Sequence, residues 1–443
     1  MEIFLSLLPP AIVIAIAVAT KRAFEAMIVG TLVGFVLLNG IYAFPEFGAS
    51  LLRQITDPGL SWVILFSLLV GGLMGIIGAA KASSAFTKLA LRYAKNEKKT
   101  FLVTLILAVL VYPDEYLRGM TLNTAMSNVY KENKIPKEMF TFSLSAVGIP
   151  IVTLIPMTTW AVFFAGLLEG SGIVEAGEGI SAYANVIPFS FYPIIMLVLY
   201  VLAIVGVLPR IGSIKKAYED IRDGSYDFNA YVTPDEEGSK ATLLDFLLPL
   251  VTVLLTAILF GNDMMAGIIC GLLVAVVLYT VRGYITIEDA TESFWEGAKT
   301  MIMPMGIVAV SYSLAEVMHA LGFGDVIYML KPFLIPEILP ALAFIISCVL
   351  CFYTSEFWGM AAILLPAMWP LAAEFGIDPW LFAAAVFGGS VFGSNSCLYG
   401  DYNALLGEIT GSKQVDVALT NLPYALIAAV LTAVGYLIVG FVL

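Results

Sequence analysis

The chain has 443 residues, of which 60% are hydrophobic and 13% are charged, and its formal net charge is −12. Soluble proteins are about 45–50% apolar and about 25% charged, so this composition excludes a soluble globular protein and predicts an all-α polytopic membrane protein. Short segments of alternating hydrophobicity, which would indicate a β-barrel, do not occur, and no basic patch with interleaved aromatic residues points to nucleic acid.

Several apolar stretches are long enough to cross a hydrocarbon core of about 30 Å. They include residues 3–20, 62–80, 187–208 and 422–443. The N-terminal stretch lacks a basic leader and a small-residue cleavage site, so we expect it to be the first span and not a signal peptide. Cys348 and Cys351 have the spacing of a metal-binding pair, but no second pair accompanies them, so the cysteines are expected to be buried apolar side chains.

The basic residues predict the orientation of the chain, because lysine and arginine collect in cytoplasmic loops. The loop 81–99 holds six of them, and placing it inside puts 19 of the 22 basic residues inside. Both termini then lie outside the cytoplasm, and the polar linker 209–241 lies within it. This orientation requires the segments at about 100–130 and 339–372 to enter and leave the membrane on the same side.

The stretch "VYPDEYLRGM" (111–120) places Asp114, Glu115 and Arg118 between two apolar runs. Residues 100–112 span only about 20 Å as a helix, so we expect a re-entrant hairpin with these charges at its tip. A second tip, "FYTSEFWGM", carries Glu356. Acids buried at such a tip would be functional, whereas acids in a surface loop would simply be solvated.

Arg118 has two possible roles at this tip. It could neutralise one of the neighbouring carboxylates. Alternatively, its planar guanidinium could hold an anionic substrate.

The span predicted at 138–168 is interrupted by residues that break helices. Pro150 and Pro156 fall inside it, close to Gly148, and proline removes a backbone donor and clashes with the preceding turn. The freed carbonyls would lie beside hydroxyl groups, which are hard ligands for a small cation. These hydroxyl groups belong to Thr153, Thr158 and Thr159. The alternative is that each hydroxyl bonds a carbonyl one turn back.

A second interruption is predicted within 379–403, where "GGSVFGSNSCLYGDYN" (388–403) is rich in glycine, which favours unwinding. Its candidate ion ligands are Ser394, Asn395, Ser396 and Asp401. The predicted cation ligands across both halves are Asp114, Thr158, Asn395 and Asp401. Glu316 is a candidate for proton coupling, because His319 lies three residues further along the same helix face; alternatively, His319 lies at the external interface.

The chain contains an internal repeat. "LLPPAIVIAIAVAT" from residue 7 aligns with "LLPLVTVLLTAILF" from residue 247, and the two tips follow at nearly the same offset. The predicted halves are 1–208 and 242–443, each with five crossings including one broken helix, and an odd number of crossings inverts the second half. Inverted repeats with broken helices at the midplane are typical of secondary transporters. A channel would need a continuous polar lining, and an enzyme would need a nucleophile, a base and an orienting group, so neither is expected.

Three motifs resemble those of the NhaC-type Na+/H+ antiporters, within a wider ion-transporter superfamily: "PDEYLRGMT" (113–121), "IPIVTLIPMTTW" (149–160) and "FGSNSCLYGDYN" (392–403). The resemblance implies two inverted halves, each with a scaffold part and a transport part, and a homodimer. This chain departs from the family pattern at two positions, since Ser394 replaces an aspartate and Asn395 a histidine, whereas Asp401 is kept.

The sequence therefore predicts a cation-coupled secondary transporter of the inner membrane, with Na+ and H+ as transported ions, no cofactor and no enzymatic activity. The alternative is a Na+- or H+-coupled carrier of an amino acid or small organic carboxylate, which the more neutral second break would suit.

Overall fold

The computed structural model describes residues 2–20, 22–82, 90, 92–112, 114–156, 158–228, 231, 241–260, 263–322, 335–354, 357–398 and 400–442. The regular elements within these ranges are helices, without a β-strand. Eight helical stretches there are long and apolar enough to cross a membrane, or nine if the pair bent by 54° around Ser190 counts as one span. The prediction of a multi-pass helical membrane protein is therefore confirmed.

Among its described residues, the first part of the chain has ten α-helices. They are α1 (Glu2–Thr20), α2 (Ala23–Asn39), α3 (Ala43–Thr56), α4 (Pro58–Ala79), α5 (Glu97–Leu110), α6 (Glu115–Glu132), α7 (Lys137–Leu154), α8 (Thr159–Gly170), α9 (Gly179–Val186) and α10 (Phe191–Val205).

A linker helix, α11 (Gly212–Arg222), precedes the second part. The remaining helices are α12 (Leu243–Leu259), α13 (Met264–Val281), α14 (Ile287–Thr300), α15 (Ile302–Ala320), α16 (Leu339–Thr354), α17 (Phe357–Glu374), α18 (Pro379–Ser396), α19 (Asp401–Thr410) and α20 (Gln414–Val442).

The same order of helices occurs twice. The helices α6, α7 and α8 begin at residues 115, 137 and 159, and α17, α18 and α19 begin at 357, 379 and 401, each 242 positions later. The second broken pair runs on to Thr410, beyond residue 403, where the sequence pattern had placed its end.

The helices α5 and α6 form an antiparallel hairpin. Asn96 caps α5 by accepting from the amide of Lys99 at 3.0 Å, and Asp114 caps α6. At the open end, the Asn133 amide donates to Thr100 Oγ1 at 3.2 Å, and further along the Thr104 and Tyr130 hydroxyls lie 3.0 Å apart. The start of α5 and the end of α6 are therefore neighbours, and the tip at 111–114 lies at the opposite end.

An interruption separates α7 from α8, and another separates α18 from α19, for different local reasons. Gly148 and Pro150 lie inside α7, so the prediction that they break this span is wrong. Ile155 precedes Pro156 and is extended (φ −115°, ψ 125°), because a proline disfavours the helical conformation of the residue before it. Thr158 then caps α8. In the second part, α18 ends at the extended Cys397 and Gly400 caps α19, without a proline at the break.

Two amphipathic helices pack across the two parts of the chain. In the first part, α3 contacts α15 of the second part, and α14 of the second part packs along α4 of the first. The α14–α4 contact requires glycine, because a Cβ on Gly71, Gly75 or Gly297 would overlap backbone atoms of the facing helix. The two parts are therefore interlocked.

The linker is only partly described, since 229–230 and 232–240 lie outside the described residues. Its helix α11 buries Ile214 and Ala217 and contacts α20 and α7. Arg210 pairs with Glu97 at 3.0 Å. The predicted polar linker thus includes a helix that docks on the membrane domain.

Candidate functional site

Asp114 lies at the tip of the α5–α6 hairpin and contacts two helix N-termini. Its Oδ1 accepts from the amide of Leu117 at 2.9 Å, which makes Asp114 the cap of α6. Its Oδ2 accepts from the hydroxyl of Thr159 at 3.4 Å, at the first residue of α8. Helix N-termini stabilise negative charge, so this carboxylate has favourable partners on both sides.

A cavity of about 1050 Å3 leads to this tip; we call it the central cavity. Asp114, Glu115, Tyr116, Thr159 and Trp358 line it at the hairpin end. Elsewhere it is lined by α4, α14 and α15, from Ala79 and Tyr284 to Ile307. Glu115 itself is 3% exposed. The structure thus brings three of the predicted site residues, Asp114, Glu115 and Thr159, to one cavity.

The part of the central cavity lined by α14 carries three further acids, Asp289, Glu292 and Glu296, which we call the acidic face of α14. Their spacing of three and four residues puts them on one side of the helix. Among the described residues that line the cavity, none is a lysine, arginine or histidine. Glu296 is ion-paired with Lys299 of the same helix. The other acids that line the cleft give it a negative charge, and such a cleft concentrates cations.

The guanidinium of Arg118 is fully buried and donates to backbone carbonyl groups. Its Nε donates to Ala108 and Val111 at 2.9 and 3.0 Å, and its Nη2 to Tyr112 at 2.8 Å. Its Nη1 donates to Gly148 in α7. These carbonyls include that of Ala108 in the last turn of α5, where carbonyl groups have no hydrogen-bond donor within the helix. The arginine thus caps α5 and ties it to α7, a role that neither alternative from the sequence had included.

Two of the three predicted threonines bond carbonyl groups of their own helix or break. Thr153 donates to Pro150 at 3.0 Å, and Thr158 donates to Val152 at 2.5 Å while capping α8. Ser396 behaves in the same way, donating to Phe392 at 2.6 Å. These hydroxyl groups match the alternative of back-bonding, whereas that of Thr159 reaches the hairpin tip.

The side-chain amides of Asn395 and Asn403 make hydrogen bonds at the break between α18 and α19, and that of Asn395 reaches α7. Asn395 Nδ2 donates to the carbonyl of Ser145 at 3.4 Å. Asn403 Nδ2 donates to the carbonyls of Cys397 at 2.9 Å and of Ser394 at 3.5 Å. The hydrogen bonds of Asn395 and those of Asp114 share no partner residue.

Tyr402 is a site residue that the sequence analysis missed. Its hydroxyl donates to the carbonyl of Leu144 at 3.3 Å, and its ring meets Tyr116 edge-on with centroids 6.3 Å apart. A methyl group on Gly148 would overlap the Tyr402 hydroxyl, so this approach requires glycine. The internal repeat could have identified Tyr402 from the sequence, because Tyr402 lies 242 positions after Trp160 and is its counterpart in the second half.

Glu316 lies away from the central cavity, in a network between α15 and α3. It accepts from Ser50 at 2.7 Å, Arg53 at 2.7 Å and Gln54 at 2.9 Å. We call these four side chains the α3 latch. The predicted proton-coupling residue thus joins two helices, and its neighbour His319 is exposed.

Some predicted site residues lie outside the described part of the chain. These are Glu356 and the side chain of Asp401. Among the described residues, no group of three or more His, Cys, Asp and Glu side chains is placed to hold a metal ion. The four cysteines, all of them among the described residues, form no disulfide bond, and three of them are buried.

Comparison with known proteins agrees with this architecture. The sequence model of the Na+/H+ antiporter family matches residues 151–441, more than half of the chain. An uncharacterized protein of Haemophilus influenzae is 21% identical over 479 aligned residues, which cover 98% of this chain and 91% of the relative.

Two solved structures share the fold. The YdaH transporter of Alcanivorax borkumensis, described as having an unusual topology, superposes with a TM-score of 0.62 at 12% identity, over 91% of this chain and 90% of that chain. MtrF of Neisseria gonorrhoeae, described as illuminating a class of antimetabolite efflux pumps, gives a TM-score of 0.56 at 15% identity, over 90% and 85%. At these identities the likeness concerns the fold alone.

Proposed function

This chain belongs to the Na+/H+ antiporter family, of the NhaC type, and on that premise we propose that it is a secondary transporter that exchanges Na+ for protons at Asp114. The observation that carries the proposal is the position of this carboxylate, which lines the acidic central cavity and accepts from Thr159. A proton and Na+ compete for the same carboxylate oxygens, and this competition couples the two fluxes. Acids inside membrane domains commonly mark such proton relays.

Alternating access is proposed to use two inverted repeats, whose re-entrant hairpins bring their tips to the broken helices. The aromatic contacts support this arrangement. Tyr116 touches Tyr402, and Trp358 touches Trp160; a shift of 242 positions converts the first pair into the second. A two-fold axis exchanging the two halves produces such paired contacts, and such an axis in the membrane plane is typical of inverted-repeat transporters.

We propose that the structure represents an inward-open state. The central cavity begins where α4 ends and α14 starts, beside Ala79 and Tyr284. The basic residues that follow α4 and precede α14 in the sequence place this end in the cytoplasm. On the predicted outer side, the α3 latch closes the corresponding contact between α3 and α15.

The wider setting is also proposed: the inner membrane, both termini outside the cytoplasm, the linker inside, and a homodimer. Na+ and H+ are the transported ions, and no cofactor takes part. Labelling of an engineered cysteine in the linker helix α11 by a membrane-impermeant maleimide, from one side at a time, tests the orientation.

The exchange activity is tested in proteoliposomes with a trapped pH-sensitive dye and an imposed Na+ gradient. Wild type should move protons when Na+ is added, and Asp114→Asn should not, because the amide cannot exchange a proton. Asp378→Asn is the matched control, since Asp378 caps α18 as Asp114 caps α6 and asparagine caps equally well. If Asp114→Asn and Asp378→Asn exchange ions equally well, Asp114 is not the exchange site.

A second candidate is favoured by the volume of the central cavity. About 1050 Å3 is at the upper end of small-molecule pockets and far more than one sodium ion fills. A Na+- or H+-coupled carrier of an amino acid or small carboxylate would use this space. Arg118 already donates to carbonyl groups, and the acidic face repels anions, so an ammonium group suits the cavity better than a carboxylate. A thermal-shift screen of cations against amino acids and carboxylates separates the candidates.

A further inference from the structure

We propose that this chain binds a second Na+ at a site separate from Asp114, where α18 ends against α7. The site consists of three uncharged oxygen atoms, Ser145 Oγ, Asn395 Oδ1 and Asn403 Oδ1, which we call the oxygen cluster. The inference deepens the proposed function and shares with it only the identity of the transported ion.

Hydrogen bonds tie Asn395 to Ser145, tie Asn403 to the two residues on either side of the Asn395–Ser396 pair, and orient both amides. Asn395 Nδ2 reaches the carbonyl of Ser145 itself, and Asn403 Nδ2 reaches the carbonyls of Ser394 and Cys397, in the turn that contains Asn395. Because each nitrogen faces a carbonyl, a flipped amide would place two acceptors against each other. The hydrogen bonds thus determine the orientation of both amides, and in each amide Oδ1 is the atom without a hydrogen-bond partner.

The three oxygen atoms are buried without a hydrogen-bond donor. All three residues have 0% exposure, and among the described protein atoms none of the three oxygens has a partner. Buried polar atoms in folded proteins are nearly always paired, and an unpaired one is destabilising. Three such atoms contributed by two broken helices indicate a site for a ligand that interacts with oxygen lone pairs.

The surroundings favour a monovalent cation as that ligand. Asn395 lies in the last turn of α18, where the helix dipole is negative, whereas Asn403 lies in the first turn of α19, where it is positive. Amide and hydroxyl oxygens are ligands that hard cations accept, and a set without charge suits Na+ better than a divalent ion. Tyr402 packs beside the cluster, donating to the carbonyl of Leu144 next to Ser145. Broken helices in other inverted-repeat transporters hold Na+ with such groups.

The test is equilibrium binding of radioactive Na+ to the purified full-length protein in detergent. Wild type should bind two Na+ per chain, and Asp114→Asn and Ser145→Ala should each bind one. The double variant should bind none. Ser145→Ala removes one oxygen and little volume, and Ser145→Cys, which keeps the size but offers a soft sulfur, should also lose the second ion or weaken its binding at least tenfold.

Ser143→Ala is the matched control, because Ser143 is equally buried on the same helix but donates to the carbonyl of Met139. It should bind two ions. Near-native melting temperatures show that the variants are folded. If Ser145→Ala and Ser143→Ala bind Na+ alike, the cluster holds water and the inference is wrong. If Asp114→Asn keeps both ions while Ser145→Ala loses one, the oxygen cluster stands and the proposed role of Asp114 fails.

Discussion

Trp358 packs against Trp160 with ring centroids 4.4 Å apart and ring planes at 37°. Trp358 is the second residue of α17, and Trp160 is the second residue of α8. The counterpart 242 positions away joins Tyr116 of α6 to Tyr402 of α19. The helices α6 and α17 therefore each contact a helix of the other part of the chain.

The Trp160–Trp358 contact should contribute to stability beyond the area that it buries. A double-mutant cycle with Trp160→Leu and Trp358→Leu should give a coupling free energy of about 0.5–1.5 kcal/mol. Reversible unfolding in a denaturant measures it. Trp295 is 59% exposed on α14, so Trp295→Leu combined with Trp160→Leu should be additive. A coupling near zero for the first pair would show that the rings contribute only as separate apolar groups.

We expect the hydroxyl group of Thr159 to contribute to the Na+ affinity of the Asp114 site. Thr159→Val keeps the shape but removes the hydroxyl that contacts the carboxylate. Since a hydrogen bond to a charged group contributes about 1.5 kcal/mol or more, the Na+ concentration for half-maximal exchange should rise about tenfold. Thr124→Val is the control, because the exposed Thr124 on α6 only donates to Met120. Equal constants for both variants would exclude Thr159 as a ligand.

The α3 latch should hold one side of the protein closed. Glu316→Gln removes the ion pair with Arg53, which is partly exposed (54% and 35% of the side chains) and contributes about 1 kcal/mol or less. The open population should therefore rise up to about fivefold. A cysteine replacing the buried Ser313, which lies 3.0 Å from Ser50, should then react faster with a maleimide.

The control for the latch is Glu25→Gln, which removes the exposed ion pair with Arg22 on α2 and should leave the labelling rate unchanged. If Glu316→Gln has the same labelling rate as Glu25→Gln, the latch does not govern opening.

We expect any side chain at position 148 to destabilise the protein while Tyr402 is present. In Gly148→Ala the new methyl group overlaps the tyrosine hydroxyl, and overpacking costs about 1–3 kcal/mol. The melting temperature should fall, and Tyr402→Phe should restore part of the loss. Gly48→Ala on α3, where nothing lies within 4 Å of the new Cβ, should be neutral or stabilising. A neutral Gly148→Ala would mean that α7 and α19 are further apart.

Arg118 should not be replaceable by lysine. Its three nitrogens reach carbonyls in two elements, and a lysine offers one nitrogen without that planar geometry. Each buried carbonyl left unpaired costs about 1–3 kcal/mol, so Arg118→Lys should lower the melting temperature and the exchange rate. Na+ binding at the oxygen cluster of the folded fraction should persist. A stable, fully active Arg118→Lys would show that charge alone suffices.

Local chemistry predicted much of the candidate site. Asp114 at a tip between apolar runs and the break before Pro156 could both be read from neighbouring residues, because helix capping and proline geometry act within a few positions. The spacing of the three acids predicts the acidic face of α14. The sequence does not predict that this face lines a cavity, because the central cavity forms only when α14 lies along α4. Arg118 could not be assigned, since its carbonyl acceptors in α7 lie about 30 positions away.

The sequence by itself determined that this is a helical membrane protein with a repeated order of elements, because apolar length, proline and glycine positions and the offset between similar segments are local properties of the chain. Only the tertiary structure decided which polar groups meet: Asp114 with Thr159, Glu316 with Arg53, and Asn395 with Ser145. These pairings join residues 45 to 263 positions apart, and they depend on how helices pack across the two parts, which no local pattern encodes.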